Sequence, residues 1–124
     1  MITSNSKHKQ KALFLDRDGV INKDPDGYFC SDDIEYNIDL LEYVRDNFQD
    51  YKIFIVTNQS GIERGYFTKN DFLSMMAHMI NDLKPYFNIE DIAYCPYISN
   101  DMECRKPNIG MFTYLIDKYD IDIS

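Results

Sequence analysis

Along the chain, short unbroken apolar runs alternate with stripes of apolar residues at helical spacing. Residues 11–16 (KALFLD) form the first run, closed abruptly by charge and then glycine, the pattern of a buried parallel strand. Next, Asn37 stands where a helix cap belongs, before Leu40, Leu41, Val44 and Phe48 at helical intervals. Ile53 to Val56 is a second buried run, ended by the polar segment 57–61 (TNQSG). Thr68 and Asp71 have the spacing of a capping box, and Phe72, Met76, Met79, Ile80 and Leu83 line one face of the long helix they open. Pro85 is expected in its last turn. A weaker strand follows at residues 91–95 (DIAYC). Pro107 is then expected to start a helix that turns Phe112, Leu115, Ile116 and Tyr119 to one side. Strand and helix alternate three times, which predicts an α/β fold: a parallel sheet with right-handed crossovers and flanking helices. In such sheets ligands gather at the carboxyl ends of the strands. Three loops leave those ends, at residues 16–28, 57–67 and 95–107, and they hold the unusual residues of the chain.

Composition narrows the picture. A chain of 124 residues, 44% hydrophobic and 27% charged, suits one domain with a modest core. Residues 1–10 are polar and basic, with no apolar segment behind them, and are expected to be a flexible tail ahead of a domain at 11–124 rather than a signal peptide. No stretch approaches the roughly 18 apolar residues of a membrane span. Thirteen Lys and Arg against 21 Asp and Glu leave a net charge of −8, which argues against a nucleic-acid partner. An acidic protein still binds phosphate locally, through a few cations and backbone N–H groups. Three unevenly spaced cysteines make no disulfide framework, so a reducing cytoplasm is the expected compartment.

The candidate chemistry begins with Asp16 and Asp18. If the strand ends at Asp16, the following turn frees Asp18 to reach the same place, so that one carboxylate attacks phosphorus while the other handles protons. Mg²⁺, which prefers oxygen ligands and phosphate-bearing substrates, relieves the repulsion between the two. Taken singly, an Asp-x-Asp is equally an ordinary solvated turn. Thr57 to Gly61 supply a hydroxyl, two amides and a glycine whose backbone approaches an anion closely, with Arg64 a few residues on. Arg105-Lys106-Pro107 sets fixed positive charge where the third loop meets the last helix. Either of these segments alone is also an unremarkable surface.

Together the three loops resemble the haloacid-dehalogenase (HAD) superfamily of phosphohydrolases. The likeness is to the branch containing D-glycero-D-manno-heptose 1,7-bisphosphate 7-phosphatases and histidinol-phosphate phosphatases. It rests on residues 14–22 (FLDRDGVIN), Gly27-Tyr28, residues 56–62 (VTNQSGI) with Arg64-Gly65, and residues 104–111 (CRKPNIGM), in the family's order from about residue 11 onward. The resemblance implies a Rossmann-like core with no large cap and an aspartyl-phosphate mechanism on a small phosphorylated sugar or related metabolite. It implies Asp16 as nucleophile, Asp18 as general acid and base, Thr57 on the phosphoryl oxygens, and Lys106 neutralising the charge between them. Asp16 and the main-chain carbonyl of Asp18 are the implied Mg²⁺ ligands. Asp24, Gly27, Tyr28, Asn58, Gln59, Ser60, Arg64 and Arg105 are the implied substrate contacts. A polynucleotide 3′-phosphatase shares the second and third motifs, and a monomer or weak homodimer is expected.

Two departures from the family pattern shape these expectations. The Gly-Asp motif at the end of a fourth strand is missing where the chain stops at residues 120–124 (DIDIS), so the C-terminal strands are expected to be absent. That points to a truncated sequence, poorly active as it stands, or to a non-catalytic remnant. In the family a fourth strand pairs with the first. The zinc cluster common in this branch is also incomplete: Cys95 and Cys104 remain, but Tyr97 and Met102 occupy the other ligand positions. Zinc is therefore not expected, and Cys95, Cys104 and Cys30 are expected as free thiols. His8 and His78 are expected in the tail and on a helix surface.

Overall fold

The five consecutive buried residues Ile53–Thr57 are the middle of the molecule. They belong to β2 (Lys52–Asn58), the central strand of a three-stranded parallel sheet with β1 (Ala12–Leu15) and β3 (Ile89–Cys95) on either side. The structure is a computed structural model that describes residues 10–23 and 33–122. Successive side chains of a strand point to opposite faces, so an unbroken apolar run demands cover on both sides. Ile53 and Ile55 accordingly enter a core with Leu15, Leu41, Val44, Phe72, Met76 and Leu83. Phe54 and Val56 enter a second core with Ala93, Cys95, Met111, Leu115 and Ile121.

Helices supply that cover. Helices α1 (Ile38–Asn47) and α2 (Lys69–Leu83) pack on the first face and α3 (Gly110–Tyr119) on the second. Helix α2 opens with the expected capping box: the Asp71 N–H donates to the Thr68 hydroxyl at 3.0 Å, and the Thr68 N–H to the Asp71 carboxylate at 3.1 Å. Met75 joins its buried stripe, whereas Ile80 is only half-buried. His78 lies on the helix surface, 3.2 Å from Asp82 one turn on.

Four local expectations are corrected. Asn37 does precede α1, but its side chain makes no cap; its amide donates to the Val20 carbonyl at 2.7 Å and ties the helix start to the loop after β1. Pro85 falls beyond the last turn of α2, past the C-cap Lys84. Pro107 does not start α3, which begins at Gly110, because residues 102–109 remain in hydrogen-bonded turns. Gln10, assigned to the tail, instead lies beside Ile121 in a parallel bridge, donating to the Asp120 carbonyl at 3.2 Å and accepting from the Asp122 N–H at 2.8 Å. Ile121 thus meets the chain just ahead of β1 in a single isolated parallel bridge. Among the described residues no helix is long and apolar enough to cross a membrane.

Candidate active site

Because all three strands are parallel, their carboxyl ends share one edge, and the three loops meet there. Strand β1 ends at Leu15, and Asp16 sits at its tip with a side chain 42% exposed. The chain then turns sharply: the Arg17 carbonyl accepts N–H bonds from Ile21 at 2.9 Å and Asn22 at 3.2 Å. Gly19 permits this turn with φ of 81°, a conformation that a side chain at Cβ disfavours. Asp24, Gly27, Tyr28 and Cys30 lie outside the described residues.

Lys106 reaches Asp16 from the third loop. Its Nζ stands 2.9 Å from Asp16 Oδ2 and donates to the Val56 carbonyl at 3.0 Å. Asn58 secures the approach: its Oδ1 accepts from the Lys106 N–H at 3.0 Å, and its Nδ2 donates to the Lys106 carbonyl at 3.2 Å. An amide paired in this way joins the end of β2 to the backbone of the lysine. Asn58 therefore holds Lys106 in place.

The rest of the second loop is also bonded to protein. Thr57 is buried, and its hydroxyl accepts from Gln59 Nε2 at 2.9 Å, which leaves the hydroxyl proton for another acceptor. Gln59 and Ser60 are buried too. Gln59 reaches Asp18 Oδ2 at 3.4 Å, and the Ser60 hydroxyl accepts from Arg64 Nε at 3.3 Å. Arg105 is drawn to the third loop itself, donating to Asn100 Oδ1 at 3.0 Å and to the Tyr97 carbonyl at 3.1 Å. The Gln59 N–H donates to the Cys95 carbonyl at 2.7 Å, and the Glu63 carboxylate accepts the Ile98 N–H, so the second and third loops are fastened to each other.

Cys95 and Cys104 are not free thiols. Their sulfurs are joined as a disulfide, with Cα atoms 5.4 Å apart. The intervening loop folds back onto the end of β3 and brings two distant positions within bridging range, a proximity that spacing alone does not reveal. The link closes the loop just ahead of Arg105 and Lys106.

One buried side chain beside the candidate site has no counterpart among the expectations. Arg17 is fully buried, and its fork grips the neighbouring carboxylate, Nε to Asp18 Oδ1 at 2.9 Å and Nη2 to Asp18 Oδ2 at 3.0 Å. Asn22 adds a donor to Asp18 Oδ1 at 3.2 Å. Arginine in a charged turn ordinarily faces water, so its type and position carry no sign of burial. Its only sequence signal is its place between two aspartates.

Asp16 and the main chain at Asp18 present hard oxygen donors, a set that fits Mg²⁺, which commonly keeps waters and uses one or two carboxylates beside substrate phosphate. No group of three or more Asp, Glu, His or Cys capable of holding a metal occurs among the described residues.

The chain thus sets a partly exposed carboxylate at the tip of the first strand against a lysine of the third loop, and has a buried threonine near the end of the second strand. By its relatives and its fold it belongs to the HAD-type phosphoric monoester hydrolases. The profile of the polynucleotide kinase 3 phosphatase family matches residues 16–124, and the chain is a member of that family. It is 41% identical over 117 residues to the D-glycero-alpha-D-manno-heptose-1,7-bisphosphate 7-phosphatase of Campylobacter jejuni, covering 93% of this chain and 67% of that one. It is 34% identical over 125 residues to the D-glycero-beta-D-manno-heptose-1,7-bisphosphate 7-phosphatase of Helicobacter pylori, covering 98% and 69% respectively. Its fold matches the crystal structure of D,D-heptose 1,7-bisphosphate phosphatase from B. bronchiseptica complexed with magnesium and phosphate. The TM-score is 0.81 at 31% identity, covering 92% of this chain and 66% of the other. The chain thus spans about two thirds of the length of these three proteins.

Proposed function

We propose that the protein removes a phosphate from a small phosphorylated sugar of the heptose 1,7-bisphosphate type, through an aspartyl-phosphate on Asp16. The observation that carries this is the exposed Asp16 carboxylate with the Lys106 ammonium 2.9 Å away. Such a pair attracts a phosphoryl group to the lysine while leaving a carboxylate oxygen to attack it. In the first step a bond forms from Asp16 oxygen to phosphorus and the bond from phosphorus to the leaving oxygen breaks; Asp18 delivers the proton that this oxygen takes up. In the second step Asp18 removes a proton from water, whose oxygen attacks the phosphoryl group and returns Asp16. Thr57 donates its hydroxyl proton to a phosphoryl oxygen, and Lys106 offsets the charge that gathers as nucleophile and phosphate meet. Asp16 and the Asp18 carbonyl would hold Mg²⁺, which supplies charge shielding and orients the phosphate. Asn58 and Gln59 support these groups, and Ser60, Arg64 and Arg105 lie on the loops beside them. The sugar reading is further supported by the substrates named for the relatives and by the net charge of −8, unfavourable to a polyanion.

The test is phosphate release, with Mg²⁺, from a heptose 1,7-bisphosphate, histidinol phosphate and a 3′-phosphorylated oligonucleotide. The expected order places the sugar bisphosphate first, and Asp16→Asn lowers its turnover by at least about a thousandfold. Chelation of Mg²⁺ lowers it as well. A faster reaction on the oligonucleotide would move the protein to a 3′-phosphatase role, and undiminished turnover by Asp16→Asn would remove the nucleophile assignment.

A further inference from the structure

The Asp18 carboxylate accepts hydrogen bonds at both of its oxygens. Oδ1 accepts from Arg17 Nε at 2.9 Å and Asn22 Nδ2 at 3.2 Å; Oδ2 accepts from Arg17 Nη2 at 3.0 Å and, more weakly, from Gln59 Nε2 at 3.4 Å. Two further features give this clamp direction. The Arg17 guanidinium is not a loop group waving in water. It is fully buried, 5.7 Å from the Phe72 ring centroid and 4.0 Å from the Met75 sulfur, so it is referenced to helix α2. Asn22 is almost wholly buried and its own Oδ1 has no partner among the described residues, while its Nδ2 serves Asp18 and the Lys23 carbonyl. Turning that amide over would set its oxygen against the carboxylate, so the orientation favours Asp18 at the cost of an orphaned acceptor.

We propose that Arg17 is a positioning residue for the phosphoryl-transfer reaction: its buried fork, braced on α2 and seconded by Asn22, fixes the direction in which Asp18 meets the leaving-group oxygen. The assignment rests on the phosphatase reading above and adds to it the element that aims the acid. A carboxylate on a turn has rotamer freedom about two bonds, and the bidentate guanidinium removes it. The 3.4 Å Gln59 contact is the weakest of the four, so Oδ2 is the oxygen that exchanges a protein donor for the substrate. Lysine cannot reproduce this hold, because a single ammonium does not bridge both oxygens in one plane.

The discriminating measurement is kcat/KM, in the protein as its gene encodes it, for two esters. One is an alkyl phosphate of a primary sugar hydroxyl, whose oxygen must be protonated to leave. The other is p-nitrophenyl phosphate, whose leaving group departs without a proton. Arg17→Met and Arg17→Lys are expected to lower the alkyl value by on the order of a hundredfold, the scale of a misplacement of about 1 Å, and the aryl value by less than about tenfold. In an Asp18→Asn background the Arg17→Met change is expected to have no further effect on the split, since it acts through Asp18. Asn22→Ala is expected to produce the same split in milder form, and it carries the test if the Arg17 variants do not fold. Equal losses on both esters, or an Arg17 effect that persists without Asp18, would overturn the assignment and leave the phosphatase reading standing. If the unsubstituted protein hydrolysed neither ester, the phosphatase reading itself would fall, and this assignment with it.

Discussion

Lys106 illustrates how little of a charged side chain's role resides in its charge alone. Its ammonium is aimed by the Val56 carbonyl and its backbone is locked by Asn58, so the chain spends three hydrogen bonds to deliver one cation to Asp16. Lys106→Met removes the cation and keeps the length of the stem. The expected result is a fall in kcat/KM of about a hundred- to a thousandfold, the scale of losing one preorganised electrostatic group. Stability should change by less than about 1 kcal/mol, because the Asp16 side chain is 42% exposed and remains solvated. Steady-state kinetics beside thermal melting separates the two effects; a large loss of stability would mean that the lysine chiefly holds the loops together. Asp16, Thr57 and Lys106 were candidates in the sequence because each falls in one of three spaced motifs, and the structure brings Lys106 to Asp16. Arg17 was not a candidate. Burial is a property of what packs over a residue, and Phe72 and Met75 come from a segment more than fifty positions away.

At the level of elements, the loop between β3 and α3 is where local pattern and structure part company. Pro107 has the look of a helix start, yet the chain continues through turns to Gly110. The Gly110 N–H donates to the Glu103 carbonyl at 2.9 Å, and Asn108 bridges the carbonyls of Asn100 and Met102. This packing needs a residue without a side chain: a Cβ at Gly110 would lie 2.5 Å from the Glu103 carbonyl oxygen, a backbone atom that cannot swing aside. Gly110→Ala is therefore expected to cost about 1–3 kcal/mol, the range for forcing extra volume into a packed site. Denaturant unfolding reads this directly. Activity should fall with it, since the same loop carries Lys106. An unchanged midpoint would show that the turn tolerates the methyl group. Elements with strong periodicity, β2 and α2 above all, matched expectation because their own residues contain the signal. The third loop depends on carbonyls of neighbouring turns, which no spacing rule encodes.

For the whole molecule, one acid-sensitive contact lies where α3 meets the sheet. Asp91 on β3 accepts from Lys118 at 2.8 Å and from the Tyr119 hydroxyl at 2.6 Å, and its own carboxylate also caps the Ile92 N–H at 2.8 Å. Partial burial pushes this carboxyl up, but the three donors outweigh it and hold it below the ordinary aspartate range. Its folded value lies beneath its unfolded value of about 3.9, so its contribution is complete above that pH and is lost as pH falls through the folded value. Unfolding free energy is expected to decline below about pH 4, and Asp91→Asn should flatten that part of the curve. An identical acid limb in the variant would place the sensitive group elsewhere. The sequence by itself determined the class of the fold, because an unbroken apolar run needs two covered faces, and it named three motif-bearing loops as the candidates for a site on one edge. Only the tertiary structure decided that Cys95 and Cys104 join, that Gln10 pairs with Ile121, and that Arg17 turns inward to Asp18. Each is a contact between groups whose nearness or burial arises once helices close over the sheet. The energy of such contacts depends on distance and solvent exclusion, neither of which is written in the order of the residues.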